Sequence, residues 1–256
     1  MKTAKKVFFA TALTLLVSII FLAGFLLVPQ NLFANHSDHN NFKIYSNKPI
    51  DIKLNSILDH SLSLVKKSEL FDKAYHYDIF IADNTLYNYL DSKILGPAMS
   101  RSIDNNVILK VGLDIDNDKL IGAHNTRNLT QTIAHEMIHC LQVNKYGKLK
   151  FNPWHHPEMW KLEGYPEYIA MQDYLTSKKY SLNSEIKKLE AFENTSNNGW
   201  YETEKGQYDP VVYFRGRLMI EYLIDIKGLN YDEILNEKFT ADEVYTDMIK
   251  WAEKSK

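Results

Sequence analysis

The chain has a single cysteine in 256 residues, Cys140, so no intramolecular disulfide can form. Stability has to come from the apolar core, or from the core together with a bound ion. An excess of one charge is also missing. The formal net charge of −2 offers no basic face of the kind that nucleic acid requires. Glycine (10) and proline (7) are sparse, and no repeat, low-complexity block or Pro/Gly-rich linker divides the chain beyond residue 41. With 45% apolar and 24% charged residues, the composition excludes global disorder.

What is abundant lies first at the N-terminus. From Val7 to Val28 the chain carries no charge, a length sufficient to span a bilayer core of about 30 Å. A cleavable signal peptide has a shorter apolar core of about 7–15 residues and a small-x-small cleavage site. Leu32-Phe33-Ala34 matches that site poorly and no cysteine follows for lipidation, so the run reads as an uncleaved anchor rather than a signal segment. Lys2, Lys5 and Lys6 precede it, which by the positive-inside tendency places the rest of the chain outside the cytoplasm. Residues 29–41, with His36 and His39, read as a polar linker and solvated tail. The expected division is 1–34 as anchor or signal segment with its linker, and 35–256 as one domain with its core beginning near residue 42.

Within that domain, "SILDHSLSLVKKSELF" has helical spacing, while "HYDIFIAD" and "NNVILKVGL" are strand-like runs bounded by turn residues. Helices are expected at about 126–145, 164–176, 184–194, 209–227 and 231–253 from apolar periodicity. A small mixed sheet followed by a mainly helical half is an α+β class.

The stretch "TIAHEMIHCLQ", residues 132–142, holds His135 and His139 four apart, with Glu136 between them. On a helix both histidines share one face and can point at one ion. Glu136 is about 100° from His135, close enough to reach a water bound there. The other face carries Leu129, Ile133, Met137 and Cys140, so Cys140 reads as a core residue rather than a ligand. Thr126 or Asn128 can cap the start and Gly147 can end the helix.

Catalytic zinc takes three protein ligands and keeps a position for water, so a third ligand is needed. The longer pattern HExxHxxGxxH fails at Gln142 and Lys145. His155 and His156, in "NPWHHPEMW", lie in a Pro-flanked loop with no helical register to aim them. Glu163 in "MWKLEGYPEYIA" is the better candidate, on a second helix after enough chain for a turn and a return.

"HEMIH" followed by "WKLEGYPEY" resembles the gluzincin metallopeptidases, whose third zinc ligand is a downstream glutamate. In their aminopeptidase branch that glutamate lies in a W-x-x-E-G motif, matched here by Trp160, Glu163 and Gly164. The resemblance implies a zincin-like fold and one Zn²⁺ on His135, His139 and Glu163, with Glu136 as base. Thermolysin-like members place a carboxylate four residues beyond the ligand glutamate to hold the first histidine. Glu167 stands at that position, as Glu rather than Asp. "VVYFRGRLMIEYL" resembles the Y-x-x-G segment whose tyrosine supports the oxyanion, through Tyr213 and Gly216; Tyr208 is the rival. No G-A-M-E-N-like segment precedes the metal helix, and "GAHN" at 122–125 lacks its glutamate, so an aminopeptidase is not supported. The resemblance covers about residues 120–225.

Other signals read as structural. Asp114, Asp116 and Asp118 resemble a calcium loop but lack its glycine and final glutamate, at Lys119 and Asn125, and read as an acidic turn. Trp154, Trp160, Tyr165 and Tyr168 read mainly as core, and "KWAEKSK" as a solvated helix end. The expected function is a membrane-anchored, extracytoplasmic zinc peptidase acting on a peptide or protein substrate, with no nucleic-acid partner. A catalytically inactive zincin-fold protein of the cell envelope, and a hydrolase of some other substrate, are the alternatives.

Overall fold

The computed structural model describes residues 2–151, 155–195, 199–204 and 207–254. Helix α1 (Lys2–Leu27) leads into a five-stranded sheet. Its strands are β1 (Asn35–His39), β2 (Phe42–Ser46), β3 (Tyr77–Ile81), β4 (Ser100–Ile103) and β5 (Asn106–Leu109). Their spatial order is β1-β2-β3-β5-β4, with β2, β3 and β5 parallel and the two edge strands antiparallel to their neighbours. Helices α2 (Leu54–Val65) and α3 (Leu86–Leu95) make the crossovers. Parallel strands need cover on both faces. In β3, Ile79 joins the core cluster that contains α2, while the next residue, Phe80, joins a second cluster with Tyr87 of α3 and Ile108 of β5.

A three-stranded antiparallel sheet follows, of β6 (Gly112–Asp114), β7 (Lys119–Ile121) and β8 (Thr126–Asn128). It delivers the chain directly into α4 (Leu129–Tyr146), where the Asn128 side chain accepts from the Gln131 amide and Gly147 (φ 87°) ends the helix. The rest is mainly helical: α5 (Met159–Ala170), α6 (Gln172–Leu175), α7 (Leu182–Thr195), α8 (Val211–Glu221), α9 (Tyr231–Asn236) and α10 (Ala241–Lys254). A hairpin of β9 (Trp200–Glu204) and β10 (Gln207–Pro210) precedes α8, which continues into a π-helical turn at Tyr222–Ile226. The fold is α+β, with a mixed sheet first and helices after.

The segment expected as one helix at 231–253 is two. Asn230 and Glu233 form a reciprocal capping box at the start of α9, and Thr240 and Glu243 exchange the same bonds at the start of α10. Two caps ten residues apart leave no room for a continuous helix.

Two expectations at the N-terminus are corrected. Residues 29–41 are not a loose linker: Pro29–Leu32 form a 3₁₀ turn and Asn35–His39 pair with β2 as an edge strand. His39 is held by Asp59 at 2.9 Å. This strand reads "NHSDH", with no apolar residue, so periodicity could not reveal it.

The membrane anchor is also overturned. Among the described residues no helix is long and apolar enough to cross a membrane. The end of the apolar run belongs instead to the packing of the domain: Phe25 lies 5.2 Å from the Tyr87 ring, and Tyr87 and Asn106 donate to the Leu26 and Leu27 carbonyls. The single-pass location outside the cytoplasm, and the orientation read from Lys2, Lys5 and Lys6, fall with it.

Candidate metal centre

Helix α4 is buried between the sheet and α5, so even its polar face is enclosed, with His135 6% and Glu136 7% exposed. His135 and His139 turn their Nε2 atoms to a common point, 3.1 Å apart. Glu163 brings its Oε2 to 3.2 Å from each. Among the described residues this is the one group of His, Cys, Asp and Glu side chains placed to hold an ion.

A pair of motif glycines makes that approach possible. Gly164 of α5 faces Gly216 of α8, where a β-carbon on Gly164 would lie 2.5 Å from the Gly216 carbonyl oxygen. A β-carbon on Gly216 would in turn lie 3.2 Å from the Trp160 carbonyl oxygen. Only glycine allows two backbones so close. The crossing sets Glu163, beside Gly164, and Tyr213, one turn before Gly216, around the same centre.

His135 is held by charge. Its Nδ1–H donates to Glu167 Oε2 at 3.0 Å, and Arg127 Nη2 donates to both Glu167 oxygens at 3.0 and 3.1 Å. Burial works to lower the His135 imidazolium, but hydrogen bonds to Glu163 and Glu167 outweigh it and hold its pKa up to about 10. Burial likewise works to raise Glu167, and the Arg127 charge and the bond from His135 bring it down to about 2. The same balance, won by the two histidines, holds Glu163 well below the usual carboxylate range.

His139 is held without charge: its Nδ1 lies 2.8 Å from Gln142 Oε1. Glu136 accepts from the Ser100 hydroxyl at 2.7 Å. Ser100 opens β4, the edge strand that packs on α4. The Tyr213 ring stands 6.1 Å from that of His135, and the Arg127 guanidinium lies over the Tyr213 ring, 5.7 Å from its centre. Burial and the nearby Glu163 carboxylate push the phenol up, so it stays a protonated donor at neutral pH. Tyr208 lies in β10, but its side chain is outside the described residues. A polar cavity of about 440 Å³ adjoins the centre, lined among others by Arg127, Glu167, Asp209 and Tyr213.

The donor set fits a metal cation. With both Nδ1 atoms committed outward, three potential ligand atoms converge 3.1–3.2 Å apart. Tetrahedral zinc with bonds of about 2.0–2.1 Å sets its ligand atoms about 3.3–3.4 Å apart. Without a cation at the centre those atoms repel; in the bare protein the raised His135 proton serves that purpose.

The other candidates fall outside. His155 and His156 are exposed, and His156 Nδ1–H donates to the Pro157 carbonyl. Cys140 is fully buried on the sheet side, 3.9 Å from the Asn106 carbonyl. The aspartates of the acidic turn diverge: Asp114 bonds Asn117, Asp116 pairs with Lys53, and Asp118 caps Thr130. Trp160, Tyr165 and Tyr168 are core residues; Trp154 lies outside the described residues. Sequence reasoning missed Arg127, Ser100 and the positive part played by Gln142. Compared with known proteins, the chain matches no family model and no curated protein at a significant level.

Proposed function

We propose that this chain is a zinc-dependent hydrolase of the gluzincin kind, with a zincin-like fold, cleaving peptide bonds. The observation that carries the reading is the convergence of two imidazole Nε2 atoms and a carboxylate oxygen within 3.1–3.2 Å, beside a buried carboxylate that is not one of them. A purely structural ion has no use for Glu136.

Bound zinc supplies Lewis acidity toward a carbonyl and lowers the pKa of a water. Glu136, oriented by Ser100, accepts the proton of the attacking water and returns it to the leaving amine. The protonated Tyr213 phenol donates to the oxygen that gains charge. Arg127 and Glu167 keep the His135 ring fixed throughout. A peptide substrate is favoured because β4 is a sheet edge and carries the residue that holds Glu136. An extended chain can add to such an edge through its own backbone bonds.

Two measurements test this. Metal analysis of the purified protein is expected to give about one zinc per chain in wild type and none in His135→Ala. Glu136→Gln is expected to keep zinc and lose peptide hydrolysis. Zinc without any hydrolysis in wild type, across a broad peptide panel, would instead support an inactive zincin-fold protein. Hydrolysis that survives Glu136→Gln would remove the assigned base.

A further inference from the structure

Helix α5 contains a proline inside its span, Pro166. A proline has no N–H, so the carbonyl four residues earlier, that of Leu162, loses its helical partner. That carbonyl is instead taken by Gln142 of α4, whose Nε2 donates to it at 3.2 Å. The second hydrogen of Nε2 goes to the Tyr231 hydroxyl oxygen at 2.7 Å. Tyr231 has only acceptor capacity to offer there, because its own proton is committed to the Lys161 carbonyl at 2.9 Å. Gln142 is fully buried, shut off from bulk solvent, and both amide hydrogens already have protein acceptors.

Both amide hydrogens are therefore assigned by their partners. A flipped amide would set its oxygen against the Leu162 carbonyl and leave Tyr231 without a donor. The amide oxygen must then face His139 Nδ1, 2.8 Å away, and an acceptor there requires Nδ1 to carry a proton. The His139 Nε2 lone pair is left pointing at Glu163 and His135.

We propose that Gln142 is a positioning residue that fixes His139 as a zinc ligand, its amide oriented by the helical carbonyl that Pro166 leaves open. The inference rests on the zinc-site reading above in its functional meaning, but not in the hydrogen-bond pattern it asserts. Gln142 is also one of the two residues, with Lys145, that break the longer HExxHxxGxxH pattern. What looks like a defect in that motif supplies the support for the second histidine.

The test uses the full chain in two states. In metal-free wild type at pH 8, ¹⁵N chemical shifts of His139 are expected to show a protonated Nδ1. An unprotonated Nδ1 would overturn the proposal whatever the zinc result. In the second state, zinc dissociation constants come from chelator competition on wild type, Gln142→Met and Gln142→Glu. Gln142→Met is expected to bind zinc about 10–100-fold more weakly, as losses of outer partners do. Gln142→Glu keeps an acceptor on Nδ1–H but loses the donors to Leu162 and Tyr231. It is expected to recover zinc affinity while remaining less stable than wild type. A merely structural glutamine predicts lowered stability in both variants with unchanged affinity, and that outcome would sink the idea. Should wild type bind no zinc, the zinc reading fails alone, and the ¹⁵N result still decides the role of Gln142. Should Gln142→Met not fold, Gln142→Glu and the wild-type spectrum carry the decision.

Discussion

The two histidines of the centre are held by opposite means. On one side, Glu167 and Arg127 clamp His135 with a partly buried ion pair. On the other, Gln142 clamps His139 with a neutral amide that the helix backbone and Tyr231 orient. A charged clamp fixes direction and also raises basicity, so it responds to pH. A neutral clamp fixes direction only. The centre thus has one histidine held by a charged pair and one held by a neutral amide.

Glu163 touches both sides, so removing it is expected to do most harm. Glu163→Ala should weaken zinc binding by more than about 100-fold, beyond what the loss of any outer partner causes. Chelator competition measures it. If Glu167→Ala proves the more damaging, the ligand and its support have been exchanged and the comparison collapses. Next comes Glu167→Gln, which keeps an acceptor for His135 Nδ1–H while removing its charge. Affinity should fall by about 10-fold, at the low end for such partners. A loss as large as that of Glu163→Ala would mean that charge rather than direction is what matters on this side.

The pH dependence separates the two clamps further. In the metal-free protein His135 has a pKa of about 10, above its ordinary 6.5. Its imidazolium contributes stability that is fully present below pH 6.5 and is lost as pH rises through about 10. Glu167 works in the other direction: its contribution is present above its ordinary 4.5 and is lost as pH falls through about 2. These groups therefore stabilise the bare protein most between pH 4.5 and 6.5. Zinc must displace the His135 proton, so its affinity should rise roughly tenfold per pH unit over pH 6.5–10. Titration calorimetry across that range checks the slope. Glu167→Gln should flatten it, whereas Gln142→Met should shift affinity at every pH and leave the slope alone.

How much of this was legible in the sequence follows from distance along the chain. The α+β class, most helices and the two converging histidines came from local periodicity and spacing, because residues four apart on one helix must share a face. Glu163 was favoured by its place on a second helix and then by a motif resemblance, and Glu167 came from the resemblance alone. The supports were hidden for a plain reason. Arg127, Ser100 and Tyr231 lie on other elements, and only folding brings them within 3.5 Å of α4 and α5 side chains. Gln142 was visible but looked like a mismatch, since its value depends on a carbonyl opened by a proline on another helix. β1 was missed because an exposed edge strand with no apolar residue leaves no alternation to read. The apolar run at the N-terminus misled because length and lack of charge fit a bilayer span. The packing of Phe25 on Tyr87 depends on a contact that no window of sequence contains.

The smallest expected effect lies at the residue between the histidines. Ser100 donates to Glu136 from the edge strand, and Glu136 is not one of the three proposed ligands. Ser100→Ala removes one hydrogen bond, of about 1 kcal/mol, which corresponds to a roughly fivefold fall in kcat. Zinc affinity should not change, since the lost bond orients a base and not a ligand. Steady-state kinetics on a peptide substrate, paired with chelator competition, separate the two quantities. Gln142→Met is expected to change affinity and Ser100→Ala to change rate. If Ser100→Ala weakens zinc instead, β4 supports the centre itself, and the division between residues that hold the ion and residues that orient the base does not stand.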